Sequence, residues 1–141
     1  MNAATITVEA NVPVTPAEAW QYYTEPQHIV NWNFASDDWH CPSATIDLVV
    51  GGKMNMRMEA KDGSFGFDFE GTYTNIINHQ QIDYTIADGR KVSIIFTNQG
   101  ASTHVAVNFE AETMNSVELQ EQGWQAILNN YQLYIERQLN E

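Results

Sequence analysis

GGKMNMRMEAKDGSFGFDFEG, residues 51–71, alternates methionine with polar residues, turns at Asp62-Gly63, and then alternates phenylalanine with small or acidic residues. A period of two marks a strand with one apolar face, and Asp-Gly between two such runs is a hairpin signal. Met54, Met56, Met58, Phe65, Phe67 and Phe69 therefore share one face, while Lys53, Asn55, Arg57 and Glu59 occupy the other. That apolar face reads either as ordinary core or as the wall of a pocket. Three methionines in one strand make a surface that adjusts to apolar partners of different shape.

The hairpin sits in a meander. Turn chemistry at Gly51-Gly52, Asp62-Gly63, Asn78 to Gln81, Asp88-Gly89 and Asn98-Gln99-Gly100 separates runs rich in β-branched and aromatic residues. Strands are expected near 44–50, 53–60, 65–76, 82–87, 90–97 and 103–112. Each pairs antiparallel with its neighbour, because no connection is long enough for a crossover helix.

Before the meander, TITVEANV (5–12) alternates as a half-buried strand. Thr15-Pro16-Ala17-Glu18 supplies an N-cap, a proline at the first helical position and a glutamate three residues after the cap, so a short helix runs to about Thr24. Glu25-Pro26 restarts the chain, and His28, Ile29 and Trp32 have the spacing of a second short helix. Residues 33 to 43 read as an irregular loop. After the meander, Asn115 or Ser116 caps a long helix whose stripe runs through Val117, Trp124, Ile127, Leu128, Tyr131, Ile135 and Leu139. One long amphipathic helix covers one face of an antiparallel sheet, so the Met and Phe face looks toward it.

The chain of 141 residues is of one-domain length, 1–141. With 43% hydrophobic and 17% charged residues it has the composition of a globular protein. A formal charge of −12 repels polyanions and anionic membrane surfaces, so nucleic acid is not expected as a partner. The segment MNAATITVEANV has neither a basic nor an apolar leader region, and no apolar run approaches the roughly 20 residues of a membrane span. With the single cysteine, Cys41, this points to a cytoplasmic protein without membrane insertion.

Four stretches carry a family resemblance: VPVTPAEAWQYYTEPQHIVNW (12–32), DLVVGGKMNMRME (47–59), DGSFGFDFEGTY (62–73) and GWQAILNNY (123–131). In order and spacing they resemble the START-like, or SRPBCC, superfamily, within it the branch of the activator of the ninety-kilodalton heat-shock protein's ATPase. The resemblance implies an α+β helix-grip fold, like that of Bet v-type proteins. A seven-stranded antiparallel sheet would curve round the last helix, with two short helices after the first strand. It also implies a cavity between sheet and helix that receives an apolar small molecule, lipid or polyketide-like. A chaperone is the alternative partner, and a polyketide cyclase-like or dehydratase activity a further one.

The expected ligand-binding residues are Met56, Phe67, Phe69, Tyr73, Trp124 and Tyr131 along the cavity, with Trp32, Trp39 and His40 at its opening. Tyr73 shares the parity of Phe69 and faces inward, whereas Arg57 faces out, an assignment that one β-bulge would reverse. Trp124 either packs the helix on the sheet or caps one end of the cavity. The loop holding Trp32, Phe34, Trp39, His40 and Cys41 suits a pocket mouth or a segment pinned by its aromatic side chains. His40 suits proton transfer near neutrality, but no fixed partner is evident, so no catalytic residue is assigned. His28, His40, His79 and His104 are scattered without metal-ligand spacing, and no metal or cofactor is expected.

Overall fold

The computed structural model describes residues 4–140; the first residues of the stretch read above for a leader, and Glu141, lie outside it. The chain runs β1 (Thr5–Val12), α1 (Pro16–Thr24), α2 (Pro26–Ile29), β2 (Trp39–Ile46), β3 (Lys53–Ala60), β4 (Gly66–Ile77), β5 (Gln81–Ile86), β6 (Lys91–Asn98), β7 (Thr103–Glu110) and α3 (Val117–Leu139). The strands form one antiparallel seven-stranded sheet in the order β1-β7-β6-β5-β4-β3-β2. This is the helix-grip arrangement.

Local chemistry sets the helix starts. The Thr15 hydroxyl accepts the Glu18 amide at 3.3 Å and donates to the Glu18 carboxylate at 3.0 Å, and Pro16 opens α1. Ser116 caps α3 by accepting the Leu119 amide at 3.1 Å. At 23 residues, α3 is about 35 Å long and lies across the sheet.

Two bulges decide which side chains face α3. In β4 the register shifts between Tyr73 and Asn75. Phe67, Phe69, Gly71 and Tyr73 keep odd parity on the inner face; beyond the bulge Ile76 pairs with buried Ile82, so even positions turn inward. In β2 the shift falls between His40 and Ser43. It leaves Cys41 buried and puts His40 opposite Glu59 on the outer face. The strand itself begins at Trp39, five residues before the expected start, because residues 39 and 40 already pair with Ala60 and Glu59. The segment read as a loop to residue 43 therefore ends at 38. Partner pairing across the sheet outweighs the weak β pattern of WHCPS.

The turn at 51–52 is built by glycine. Gly51 has φ +85°, its amide donates to the Tyr73 carbonyl at 2.8 Å, and the Gly52 carbonyl accepts the Tyr73 amide at 3.0 Å. A Cβ on Gly52 would collide with the Asp47 carbonyl oxygen, so no larger residue fits without moving the backbone.

The α3 backbone runs closest to β1 and meets α1 at a corner. There Gln125 grips the edge strand: its Nε2 donates to the Glu9 carbonyl at 2.9 Å and its Oε1 accepts the Glu9 amide at 3.3 Å. The helix thus occupies backbone groups that an edge strand otherwise leaves unpaired. Because α3 leans on this side of the sheet, space opens between it and β3–β5.

Candidate functional site: a cavity between the sheet and the last helix

A cavity of about 340 Å³ occupies that space. This volume lies at the small end of the roughly 300–1,000 Å³ range of small-molecule sites. Its wall is mostly apolar: Met54, Met56 and Met58 of β3, Ile82 and Ile94 deeper in the sheet, and Trp124, Ile127 and Leu128 of α3. The opening question of pocket or core has a divided answer. The three methionines are buried and line the cavity at the same time.

Six of the nine expected residues lie on this wall: Trp32, Met56, Phe67, Phe69, Tyr73 and Trp124. Trp32 is buried, its indole N–H held by the Tyr22 carbonyl at 3.1 Å, so it forms part of the floor and not the opening. Trp124 stacks face to face on Phe109, centroids 4.0 Å apart at 11°, and meets Phe69 edge-on at 6.2 Å. It therefore packs helix against sheet and lines the cavity together. Phe67 is 42% exposed and is the second residue of β4, which makes it part of the rim and not a mid-strand wall residue. Phe65 precedes the strand and is more exposed still.

The other three lie elsewhere. Tyr131 is fully buried behind the wall; its hydroxyl donates to the Ala19 carbonyl at 2.6 Å, and its ring packs on Trp32 and Tyr23 at 5.1 and 5.2 Å. Trp39 packs beside Phe65 and Phe67 at 5.9 and 6.0 Å, next to the rim but outside the cavity. His40 faces away from the cavity, its Nε2 3.8 Å from a Glu59 carboxylate oxygen. The β2 bulge, invisible in the sequence, is the cause.

Polar wall residues were the harder ones to read. Tyr84 was legible, since alternation in QIDYTI points it inward beside Tyr73. Asn33 and Gln120 were missed. Gln120 lies four residues before Trp124 on the buried stripe of α3, a signal that a polar residue there has a task. Its Oε1 accepts the Glu112 amide at 2.9 Å, and its Nε2 donates to the carbonyls of Asn115 and Glu112 at 2.9 and 3.1 Å. These bonds fasten the 111–116 segment that closes one end of the cavity. Asn33 gave no sequence signal. Its Nδ2 donates to the sulfurs of Met56 and Met58 at 3.0 and 3.5 Å.

Burial pushes up the phenols of the cavity. Desolvation raises Tyr73 to about 12, with the nearby Asp47 charge adding to it, and it raises Tyr84 and Tyr23 well above the ordinary phenol value, with neighbouring tyrosines adding to the rise in each. All three stay neutral hydroxyls through the physiological range. Among the described residues no three His, Cys, Asp or Glu side chains come together as a metal site, and no helix is long and apolar enough to cross a membrane.

A curved antiparallel sheet gripping one long helix, with a side-chain-lined cavity between them, defines a helix-grip domain of the SRPBCC superfamily. The family described as Activator of Hsp90 ATPase homolog 1-like protein matches residues 13–136, and the chain belongs to it. An AHSA1-like protein from Aeromonas hydrophila is 38% identical; the match covers 98% of this chain and 96% of that one, with a TM-score of 0.91. A protein from Cytophaga hutchinsonii is 46% identical over 97% and 95% of the two chains, TM-score 0.82. One from Nitrosomonas europaea shares the fold at 14% identity, covering 97% of each chain, TM-score 0.81. No curated protein matches.

Proposed function

We propose that this protein binds an apolar small molecule in the cavity between α3 and strands β3–β5, and does so as a cytoplasmic carrier or receptor module. The observation that carries the reading is the stand-off of α3: the helix is fastened to β1, yet leaves about 340 Å³ opposite it lined by methionine and aromatic side chains. Phe67, Phe69, Met56, Tyr73, Trp32 and Trp124 desolvate the ligand. Trp39 supports the rim, and Tyr131 holds Trp32 and Tyr23 in place from behind. Removing apolar ligand surface from water contributes about 2.5 kcal/mol per 100 Å², against which association entropy counts, so micromolar binding is the expected scale.

Native mass spectrometry of the purified protein tests this, beside an Ile127→Trp variant that fills the cavity. A discrete added mass that leaves on unfolding and is missing from the variant is expected. A bare mass, together with unchanged tryptophan fluorescence across a panel of apolar compounds, refutes it.

The family description favours a second reading, a co-chaperone-like interaction domain. With a charge of −12, such an interaction through an acidic face is expected to weaken strongly with salt; binding insensitive to salt contradicts it. A cyclase or dehydratase using His40 as base finds no support in the geometry, since His40 does not reach the cavity.

A further inference from the structure

The polar groups on the cavity wall fall into two sets, those bonded within the protein, such as Thr24, Arg90, Glu112 and Gln120, and those that have no work to do in the protein itself. Tyr23 of α1, Tyr73 of β4 and Tyr84 of β5 all line it. Tyr73 and Tyr84 are directly opposite each other in the β4–β5 ladder, ring centroids 6.3 Å apart. Tyr131 shows what a structural tyrosine does here, since its hydroxyl has the Ala19 carbonyl. The hydroxyls of Tyr23, Tyr73 and Tyr84 make no hydrogen bond among the described residues, and no fully sealed side-chain polar atom there lacks a partner, so all three open onto the cavity. Phenylalanine would fill the same space without a hydroxyl to desolvate, a group that costs roughly 1–3 kcal/mol when buried unpaired.

Asn33 adds a fourth group. It is 9% exposed, its Nδ2 finds only sulfur, the thioethers of Met56 and Met58 and the Cys41 thiol, all weak acceptors, and its Oδ1 accepts no hydrogen bond among the described residues.

The charge around these groups is as informative. Arg90 is the one cationic side chain lining the cavity among the described residues, and it is already engaged, Nε on Asp88 at 2.8 Å and Nη1 on the Glu110 carbonyl at 3.4 Å. Glu112, on the same wall, accepts the amides of Asn115 and Met114 at 2.8 and 3.3 Å. The desolvation that keeps the three phenols protonated acts equally on any charged ligand head brought among them.

We infer that the ligand is uncharged and carries a hydrogen-bond-accepting oxygen, a ketone, ether or ester on an apolar body, which receives the hydroxyl hydrogens of Tyr73, Tyr84 and Tyr23. The inference rests on the binding reading above and narrows it to a ligand class. Donors from three elements of the fold converge on one oxygen, and Asn33 Oδ1 selects ligands that also offer a donor at the methionine end.

Four probes of nearly one shape test it by calorimetric titration: 2-acetylnaphthalene, its hydrocarbon analogue 2-isopropylnaphthalene, anionic 2-naphthoate and cationic 2-naphthylmethylammonium. The ketone is expected to bind at least about tenfold tighter than each of the others. Tyr73→Phe and Tyr84→Phe are each expected to weaken the ketone about tenfold, leave the hydrocarbon unchanged or tighter, and leave the thermal midpoint unchanged or higher. Hydrocarbon binding as tight as the ketone, or ketone binding indifferent to both substitutions, overturns the inference while leaving the apolar cavity standing. Preference for the naphthoate or the ammonium overturns the neutral class. If none of the four binds below ~1 mM, the binding reading fails and this inference with it.

Discussion

Replacing Gln120 by leucine separates two accounts of the same position. Gln120 lies on the buried stripe of α3, where leucine fits the apolar pattern, and if the position were only core filler the change would stabilise the protein. The structure gives the opposite sign. The side chain makes three well-formed bonds, to the Glu112 amide and carbonyl and the Asn115 carbonyl, at 2.9, 3.1 and 2.9 Å. At about 1 kcal/mol net each, their loss costs about 3 kcal/mol. Leucine's better burial and water reaching exposed Asn115 offset part of this, leaving about 2 kcal/mol against a total stability of roughly 5–15 kcal/mol. With an m-value of about 2 kcal/mol/M, the urea midpoint falls by about 1 M. Tryptophan fluorescence is a suitable readout, since Trp124 sits one turn along the same helix face. A midpoint unchanged within about 0.2 M, or raised, refutes the assignment of Gln120 as the clasp of the 111–116 segment.

Tyr131→Phe removes a buried hydroxyl that donates to the Ala19 carbonyl, and is expected to lower stability by about 1–2 kcal/mol in chemical denaturation, with cavity ligands affected only indirectly; a neutral result contradicts the bond. Alkaline titration gives an independent test. The raised phenols of Tyr23, Tyr73, Tyr84 and Tyr131 hold their protons more tightly folded than unfolded, so their stabilising effect is complete below about pH 10, the unfolded phenol value, and is lost as pH rises toward and beyond the folded value of about 12 at Tyr73. Tyrosinate absorbance from these four is therefore expected to appear only together with cooperative unfolding. A single smooth titration of all six tyrosines near pH 10 in still-folded protein refutes it.

Much of the fold was legible because its signals are local. The first strand was read as Thr5–Val12 and the methionine strand as Lys53–Ala60, the bounds observed. Alternation and turn residues act over two to five positions, and each of those strands carries its own. The strand at 39–46 was read too late because WHCPS has little intrinsic β pattern and is held by pairing with β3. The inward face of Tyr73 was correct for the reason given, its bulge falling one residue later. For His40 the bulge fell on the other side, and the expected place at the opening was lost.

The sequence by itself determined the order of elements, the cap residues, the apolar face of each strand and the stripe of the last helix, since all depend on periods of two or 3.6 within one segment. Tertiary structure alone decided that this face is a cavity wall as well as a core. A cavity is the difference between two surfaces, set by where α3 comes to rest, and that depends on the Gln125 grip on β1 and on bulges in β2 and β4. The convergence of Tyr23, Tyr73, Tyr84 and Asn33 follows from the same cause. They come from four separate segments, and no spacing along the chain records that they meet.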